Sequence, residues 1–162
     1  MAIVISDTSP IRALAHLGLL DMLGVLYGTV IVPPDVADEL RRPGKRFPAL
    51  DIGQYPFFLI RSPSDLSAVA PFSTGLHAGE LAALALALEL NADTLLIDER
   101  LGRDVARHLG IHIVGVLGVL LQAKQIGQLH AIRPLMDRLM DELDFRVSET
   151  LRAHILSLAS EE

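Results

Sequence analysis

The sequence predicts an α/β protein: a three-layer α/β/α sandwich built on a central, mainly parallel sheet of about five strands. Short apolar runs alternate with longer helical segments, which is the pattern of consecutive β-α-β units joined by right-handed crossovers. Hydrophobic residues make up 51% of the chain and aromatic residues only 4%, so aliphatic side chains must fill the core, as in helices packed on a parallel sheet. A length of 162 residues suits a single domain that spans residues 1–162.

Strands are expected where short apolar runs are bounded by turn residues or helix starts. The predicted strands are residues 2–6, 29–32, 57–60, 94–97 and 111–114. Helices are expected around Pro10 and Pro34, because proline suits the first turn of a helix, and then over 76–90 and 100–109. Helices finish the chain from about residue 116, at about 116–127, 131–143 and 148–159. Residues 43–75 hold five prolines and are expected to be mostly loop.

Composition also bears on where the protein works. The longest apolar stretches, 81–88 and 113–121, are well short of the ~20 residues that span a bilayer, so no membrane partner is expected. The first residues lack the basic start and cleavage region of a signal peptide, and the chain has no cysteine for disulfides or thiolate metal sites. We therefore expect a cytoplasmic protein. The formal net charge of −6 argues against general nucleic-acid binding, but bound metal ions would reverse the local field.

Four carboxylates are the main candidates for a functional site. Asp7 and Asp98 follow the first and fourth predicted strands directly. Glu39 lies about one turn into the helix after the second strand, and Glu80 lies in the first turn of its own helix. In an open α/β sheet, ligands bind beyond the carboxyl ends of the strands, so all four acids can face one edge. Packing explains such acids poorly, because carboxylates are rarely buried unless they are paired.

Electrostatics favours a bound cation at these acids. Two unit charges about 4 Å apart repel by roughly 4 kcal/mol at an effective dielectric constant of about 20. Several converging acids would therefore consume much of the ~5–15 kcal/mol by which a domain is stable, unless they are well separated or are compensated by protons or cations. Oxygen ligands without cysteine favour Mg²⁺ or Mn²⁺ over zinc. Since these ions activate water and stabilise charge on a phosphate, the acids predict phosphodiester hydrolysis.

Four segments carry a resemblance to a known family. They are 4–10 (VISDTSP), 32–40 (VPPDVADEL), 77–85 (HAGELAALA) and 95–100 (LLIDER). With these segments in this order over roughly residues 1–120, the chain resembles PIN-domain proteins of the compact kind typified by VapC toxins, and a further PIN-like branch in bacteria and archaea. The resemblance implies a parallel sheet flanked by helices and an endoribonuclease activity that depends on Mg²⁺ or Mn²⁺.

The resemblance also implies roles for particular residues. Acidic residues occupy four matching positions, implied to be catalytic and to bind the metal: Asp7, Glu39, Glu80 and Asp98. Related toxins often carry a further acid beyond the fourth, for which Glu99 and Asp104 are both candidates here. Ser9 matches a small polar position beside the first acid. The candidate RNA contacts are Ser9 and five basic residues: Arg41, Arg42, Lys45, Arg46 and Arg100.

The implied partners are an RNA substrate, a protein antitoxin and a second copy of the chain in a homodimer. A different interpretation is a non-catalytic PIN-like module that binds RNA or a protein. A phosphoryl-transfer or receiver-like domain using Asp7 is less favoured, because Ser6 stands where such sites usually need a second acid. His77 is expected to cap a helix or lie on the surface and not to act as a base.

Overall fold

The computed structural model describes residues 2–162, which form two compact units. The first unit extends through Gly115 and contains the sheet, and the second is the helical segment Val116–Glu162. The five strands are all parallel and are accompanied by eight α-helices in the described residues. The predicted α/β class is therefore confirmed, with the three-layer α/β/α arrangement of a PIN-like fold.

The elements follow the predicted order. The sheet has the spatial order β3-β2-β1-β4-β5, with β1 at Val4–Ser6, β2 at Val30–Val32, β3 at Phe58–Ile60, β4 at Thr94–Leu96 and β5 at Ile113–Val114. The helices of the first unit are α1 (Thr8–His16), α2 (Met22–Tyr27), α3 (Pro34–Arg41), α4 (Ala78–Glu89) and α5 (Arg100–His108). Those of the second are α6 (Val116–Gln125), α7 (Arg133–Leu143) and α8 (Glu149–Leu158).

Strand β1 lies in the middle of the sheet, between β2 and β4. Ile5 of β1 is in register with Ile31 of β2 on one side and with Leu95 of β4 on the other. The chain leaves β1 towards β2 and β3, and later returns to add β4 and β5 on the opposite side. Such a reversal of strand order opens a crevice beyond the carboxyl ends of the central strands. Residues that follow β1 and β4 are therefore placed at the edge where α/β proteins bind ligands.

Helix α4 anchors one side of this edge. It is apolar nearly all round, as the sequence predicted, and Leu84 and Leu86 are fully buried. Alanines between the leucines are also buried and allow close packing on β1 and β4. Burial of each leucine contributes about 1.5–3 kcal/mol relative to exposure. The first turn of α4, which carries Glu80, is therefore held by a well-packed helix.

The strands are shorter than the sequence predicted. Strand β1 begins at Val4, because the N–H of Ile3 donates a hydrogen bond to Oδ2 of Asp93 at 2.6 Å and so ties the preceding chain to the loop before β4. The proline-rich segment 43–75 contains β3 and two short 3-10 turns, Ile52–Gln54 and Ala70–Phe72. Across residues 2–162, no helix combines the length and the apolar character that crossing a membrane requires.

The second unit is held together by one glutamate near its end. Oε2 of Glu161 accepts hydrogen bonds from Nζ of Lys124 and from the N–H of Ile132, both at 2.8 Å. Its Oε1 accepts from the N–H of Arg133 at 3.1 Å. These two N–H groups stand at the start of α7, where a helix leaves its donors without partners. Glu161 therefore caps α7 from a distant part of the sequence.

Candidate active site

Asp7 lies at the junction of the two central strands. It follows β1, occupies the N-cap position of α1, and donates its backbone N–H to the carbonyl oxygen of Leu96 at 2.9 Å. Leu96 is the last residue of β4, so the backbone of Asp7 joins the carboxyl ends of both strands. Only 2% of Asp7 is exposed. A carboxyl group is thus buried at the crevice that the topology predicts.

The environment of Asp7 opposes its negative charge. Burial raises its pKa, the N–H of Thr8 partly offsets this, and the charges of Glu80, Glu39 and Glu99 raise it further, to about 7. The carboxyl edge therefore brings Glu80, Glu39 and Glu99 within electrostatic reach of Asp7. We call this set the acidic cluster: Asp7, Glu39, Glu80 and Glu99.

Two hydroxyl groups after Asp7 hold two members of the acidic cluster. Oγ1 of Thr8, which is buried, donates a hydrogen bond to Oε2 of Glu39 at 2.8 Å. Oγ of Ser9 donates to Oε1 of Glu99 at 3.2 Å. Both hydroxyls belong to the first turn of α1, while the two glutamates come from α3 and from the residue before α5. The first turn of α1 therefore orients carboxylates from two other segments.

Glu80 is the most buried glutamate of the cluster. Its Oε1 accepts the N–H of His77, the N-cap residue of α4, at 3.1 Å. Burial raises the pKa of Glu80, the N–H and the ring of His77 lower it, and the charges of Glu99 and Glu39 raise it, with a net increase. His77 is therefore a helix-capping residue, as the sequence predicted.

Glycine at position 102 allows Glu80 to lie where it does. A Cβ atom on Gly102, in the first turn of α5, would stand 3.1 Å from Oε2 of Glu80 and 2.7 Å from Cδ1 of Ile97. Gly79 has a similar relation to Glu39, whose Oε2 lies 3.1 Å from the position of a Cβ there. The backbone therefore approaches both carboxylates more closely than a side chain would allow.

Asp98 and Glu99 are adjacent acids after β4. Asp98 is the fourth acid expected from the sequence, and its Oδ1 lies 2.6 Å from where a Cβ on Gly115 would stand, as does Nη1 of Arg103 at 2.7 Å. The charge of Glu99, a candidate for a further acid, raises the pKa of both Asp7 and Glu80. Glu99 is therefore an acid of the cluster, and Asp98 lies next to it in the chain.

Asp104, the other candidate for a further acid, is placed differently. It lies on the exposed face of α5 and pairs with Arg107 of the same helix at 3.2 Å. An exposed ion pair one turn apart on a helix is ordinary surface chemistry. Asp104 is therefore not part of the site.

The basic residues expected near RNA differ in their surroundings. Arg41 pairs with Asp38 at 3.3 Å and approaches Asp51 at 3.8 Å. Lys45 and Arg46 lie in the exposed loop after α3, and Arg100 is the exposed first residue of α5. Arg42 lines a cleft beside the cluster. Arg42 thus shares a concave surface with Glu39, an acid of the cluster.

The cleft that contains Arg42 has a volume of about 560 Å³. Its walls come from α3 and from the start of α4, and they carry more acidic than basic groups. The lining residues are Asp35, Asp38, Glu39, Arg42, His77, Ala78 and Gly79. Because Glu39 belongs both to this cleft and to the acidic cluster, a molecule in the cleft would lie beside the cluster.

The chemistry of the cluster fits a hard divalent ion. All four members offer carboxylate oxygens, which are the ligands that Mg²⁺ and Mn²⁺ prefer, and a cation would relieve the repulsion that raises the pKa of Asp7. Within residues 2–162, however, no three histidine, aspartate or glutamate side chains are gathered closely enough to form a ready-made ion site. Asp7, Glu39, Glu80 and Glu99 would therefore hold an ion only after converging further.

A parallel sheet with acids at its topological switch point defines a nuclease-like α/β protein. The family described as DUF3368, a PIN domain, matches residues 3–161, so the chain belongs to the PIN-domain family. No curated protein matches the chain significantly. PIN domains are typically nucleases that use divalent metal ions, and this assigns the chain to the hydrolases at a coarse level.

Two residues of the site were missed by the sequence analysis. Thr8 could have been found, because it follows a strand-end aspartate in a short polar run and such hydroxyls commonly bond nearby acids. Arg12 is half-buried in α1 and was not among the candidates. Its contacts with the end of α3 depend on the tertiary structure, so no local sequence signal could have identified it.

Proposed function

We propose that this protein is an endoribonuclease that depends on Mg²⁺ or Mn²⁺ and hydrolyses RNA phosphodiesters. The observation that carries the proposal is the buried Asp7 at the carboxyl end of β1, whose pKa is raised to about 7 by burial and further by the charges of three glutamates. An apolar or neutral group would stabilise this part of the fold better than four acids. Their retention at a switch point of a PIN domain is best explained by catalysis.

Some residues of the site would bind the metal ion, and others orient the carboxylates that bind it. The four carboxylates of the acidic cluster would hold the ion, which when bound supplies an activated water and stabilises negative charge on the phosphate. Thr8 and Ser9 orient Glu39 and Glu99 through their hydroxyls. His77 orients Glu80 through its backbone N–H. Since Thr8 and Ser9 follow Asp7 directly, the first turn of α1 sets the spacing of three carboxylates.

Purified protein incubated with a mixture of single-stranded RNAs tests the proposal. We expect cleavage in the presence of Mg²⁺ or Mn²⁺, no cleavage in EDTA, and recovery when Mn²⁺ is restored. The variant Asp7→Asn should be inactive, and Asp104→Asn, an exposed aspartate outside the site, should cleave like the wild type. Cleavage that persists in EDTA and in Asp7→Asn would mean that the acidic cluster is not the active site.

The biological role that we propose is that of a toxin in a toxin–antitoxin pair, acting in the cytoplasm as a homodimer and neutralised by a protein antitoxin. Expression in a bacterial host provides the test. Wild-type protein should arrest growth, Asp7→Asn should not, and co-expression of the product of the adjacent reading frame should restore growth. If the wild-type protein cleaves RNA but growth stays normal, the nuclease proposal stands and the toxin role is refuted.

A non-catalytic PIN-like module that binds RNA or a protein is the second candidate. One observation favours it: among the residues that the structure describes, no three metal-ligating side chains are already gathered. Mn²⁺ titration followed by calorimetry distinguishes the two. Saturable binding that is lost in Asp7→Asn supports the nuclease, and no binding at millimolar Mn²⁺ supports the module.

A further inference from the structure

Arg12 connects α1 to the end of α3 through its guanidinium group. Its Nη2 donates hydrogen bonds to the carbonyl oxygens of Glu39, at 2.8 Å, and of Arg42, at 3.1 Å. Its Cζ also lies over the ring of Phe47, 5.4 Å from the ring centre. One side chain therefore contacts the last turn of α3 and the loop that follows it.

These contacts fix the short segment between an acid of the cluster and a cation of the cleft. The carbonyl groups at the C-terminal end of a helix lack intrahelical partners and carry partial negative charge, which suits a guanidinium. A single nitrogen of Arg12, Nη2, donates to two carbonyls there: that of Glu39, which also accepts the N–H of Arg42 at 3.1 Å, and that of Arg42 itself. Its Nε is buried without a hydrogen-bond partner in the described part of the chain. Arg12 thus bonds the end of α3 while its own Nε–H stays buried without a partner, which is unfavourable.

Arg42, whose carbonyl accepts a bond from Arg12, is the one arginine among the residues that line the cleft, and these include no lysine. Asp35, Asp38 and Glu39 make the cleft acidic, so an anionic phosphodiester needs a positive group to enter it. The neighbouring Arg41 is engaged with Asp38 and Asp51. A guanidinium binds phosphate oxygens through two parallel N–H groups, so its usefulness depends on how well it is placed.

We propose that Arg42 binds the phosphodiester of single-stranded RNA beside Glu39 and that Arg12 is the positioning residue that sets Arg42 there. The inference rests on the proposed nuclease function for the identity of the ligand. It adds to that function a substrate-binding residue and the side chain that couples this residue to the acidic cluster. Because Arg12 bonds the backbone at both Glu39 and Arg42, a change at Arg12 should act on RNA binding through Arg42.

Binding of a short fluorescein-labelled single-stranded RNA, followed by anisotropy over a range of salt concentrations, tests this coupling. All variants carry Asp7→Asn and are measured in Mg²⁺, so that the RNA stays intact. Arg42→Ala should weaken binding about tenfold and reduce the slope of log K against log salt by about 0.7, which corresponds to one lost phosphate contact on a single strand.

The decisive variant is Arg12→Lys, which keeps the positive charge but has a shorter reach than Nη2 of Arg12 and no planar group to lie over Phe47. We expect the same loss of affinity and of slope as in Arg42→Ala, and no further loss in the double variant beyond about twofold. A purely structural role for Arg12 would lower the melting temperature without changing the slope. An unchanged slope, or effects of the two substitutions that multiply, would overturn the inference.

Controls separate this inference from general electrostatics and from folding defects. Arg41→Ala should change binding by only about twofold, because Arg41 is an exposed, already paired cation, and Arg107→Ala should leave it unchanged. An equal loss in Arg41→Ala and Arg42→Ala would contradict a specific role for Arg42. If Arg12→Lys fails to fold, Phe47→Leu removes the ring beside Arg12 and makes the same test.

The experiment also distinguishes this inference from the proposed function. Wild-type protein that binds the RNA through Arg42 but never cleaves it would refute the nuclease and keep the binding role. If wild-type protein cleaves the RNA and Arg42→Ala leaves RNA binding unchanged, the nuclease proposal stands and the binding role of Arg42 is refuted.

Discussion

Two carboxylates in this protein, Asp7 and Glu161, have opposite surroundings. Asp7 is buried beside three other acids, and burial and their charges raise its pKa to about 7. Glu161 is also largely covered, with 11% of its side chain exposed, but it accepts hydrogen bonds from Lys124 and from two backbone N–H groups. Burial alone would raise the pKa of Glu161; the bonds from the N–H groups and from Lys124 outweigh it and lower the pKa.

The difference shows how structural and functional acids can be told apart. Glu161 finds its donors inside the protein, so its charge stabilises the second unit and nothing further is needed. Asp7 is buried and lies near three other acids, so its charge is disfavoured at neutral pH unless a cation compensates it. The predictions below test this contrast, beginning with the largest expected effect.

Asp7→Asn is the substitution with the largest expected effect on RNA cleavage. We expect RNA cleavage to fall by at least about a hundredfold, while the metal-free protein becomes more stable at neutral pH. The direction of this change in stability follows from the pKa of Asp7. Because the folded pKa of Asp7, about 7, exceeds the ordinary 3.8, the folded state binds more protons between these values, and the free energy of unfolding falls as the pH rises through this range.

Thermal unfolding in EDTA from pH 4 to pH 8 measures this effect. The wild type should lose stability as the pH rises towards 7, and Asp7→Asn should lose less. Asp104→Asn, at an exposed aspartate, should follow the wild type. If Asp7→Asn destabilises the protein at every pH, then Asp7 is a structural acid like Glu161.

Asp98 and Glu99 provide a sharper test within the site. Glu99 belongs to the acidic cluster, and Asp98 lies beside Arg103. We therefore expect Glu99→Gln to weaken Mn²⁺ binding about tenfold, and Asp98→Asn to weaken it less. Calorimetric titration of both variants gives the comparison, and a larger loss in Asp98→Asn would restore Asp98 as the fourth ligand.

Gly102→Ala tests whether the position of Glu80 depends on the close approach of α5. The added methyl group would meet Cδ1 of Ile97 at 2.7 Å and Oε2 of Glu80 at 3.1 Å. Overpacking of this kind costs about 1–3 kcal/mol of stability and should displace the carboxylate. Urea unfolding and Mn²⁺ titration should both show a loss, and a variant with normal values in both would mean that Glu80 can move freely.

Glu161→Gln should have the smallest effect, and it should concern stability alone. Loss of the charge weakens the bonds to Lys124 and to the start of α7, and we expect about 1–2 kcal/mol of destabilisation. Because the folded pKa of Glu161 lies below the ordinary 4.5, its contribution is present above pH 4.5 and is lost as the pH falls through the folded pKa. RNA cleavage at neutral pH should remain normal.

The melting temperatures of wild type and Glu161→Gln should therefore differ at pH 7 and converge in acid. A constant difference over the whole pH range would show that Glu161 stabilises through packing and not through its charge. A loss of cleavage in a variant that is still folded would contradict the division between functional and structural acids.

The elements of the fold were largely predictable, because they depend on local patterns. The three residues before Asp7, Val4, Ile5 and Ser6, form β1, and Pro34 begins α3 as expected from its position. Alternating alanines and leucines form the buried α4. The sequence did not predict that β1 would begin only at Val4, because the bond from Ile3 to Asp93 joins residues far apart in the chain.

The site was only partly predictable for the same reason. Asp7, Glu39 and Glu80 could be named from their places at strand ends and helix starts. Asp98 was named with them, but the choice between Glu99 and Asp104 as a further acid could not be made, since the hydroxyl that Glu99 accepts, that of Ser9, is brought there by α1.

By itself, the sequence determined the alternation of strands and helices, the absence of thiolate ligands and the acids available at the carboxyl edge, because these follow from residue type and local spacing. Only the tertiary structure decided which acids share one electrostatic environment and which cation, Arg42, lies beside them. It also decided that the carboxylate of Glu161 meets a cation and N–H donors, whereas that of Asp7 is buried near other acids. The reason is physical: the charge state of a carboxyl group depends on the donors, charges and solvent within a few ångströms, and folding brings these from distant parts of the chain.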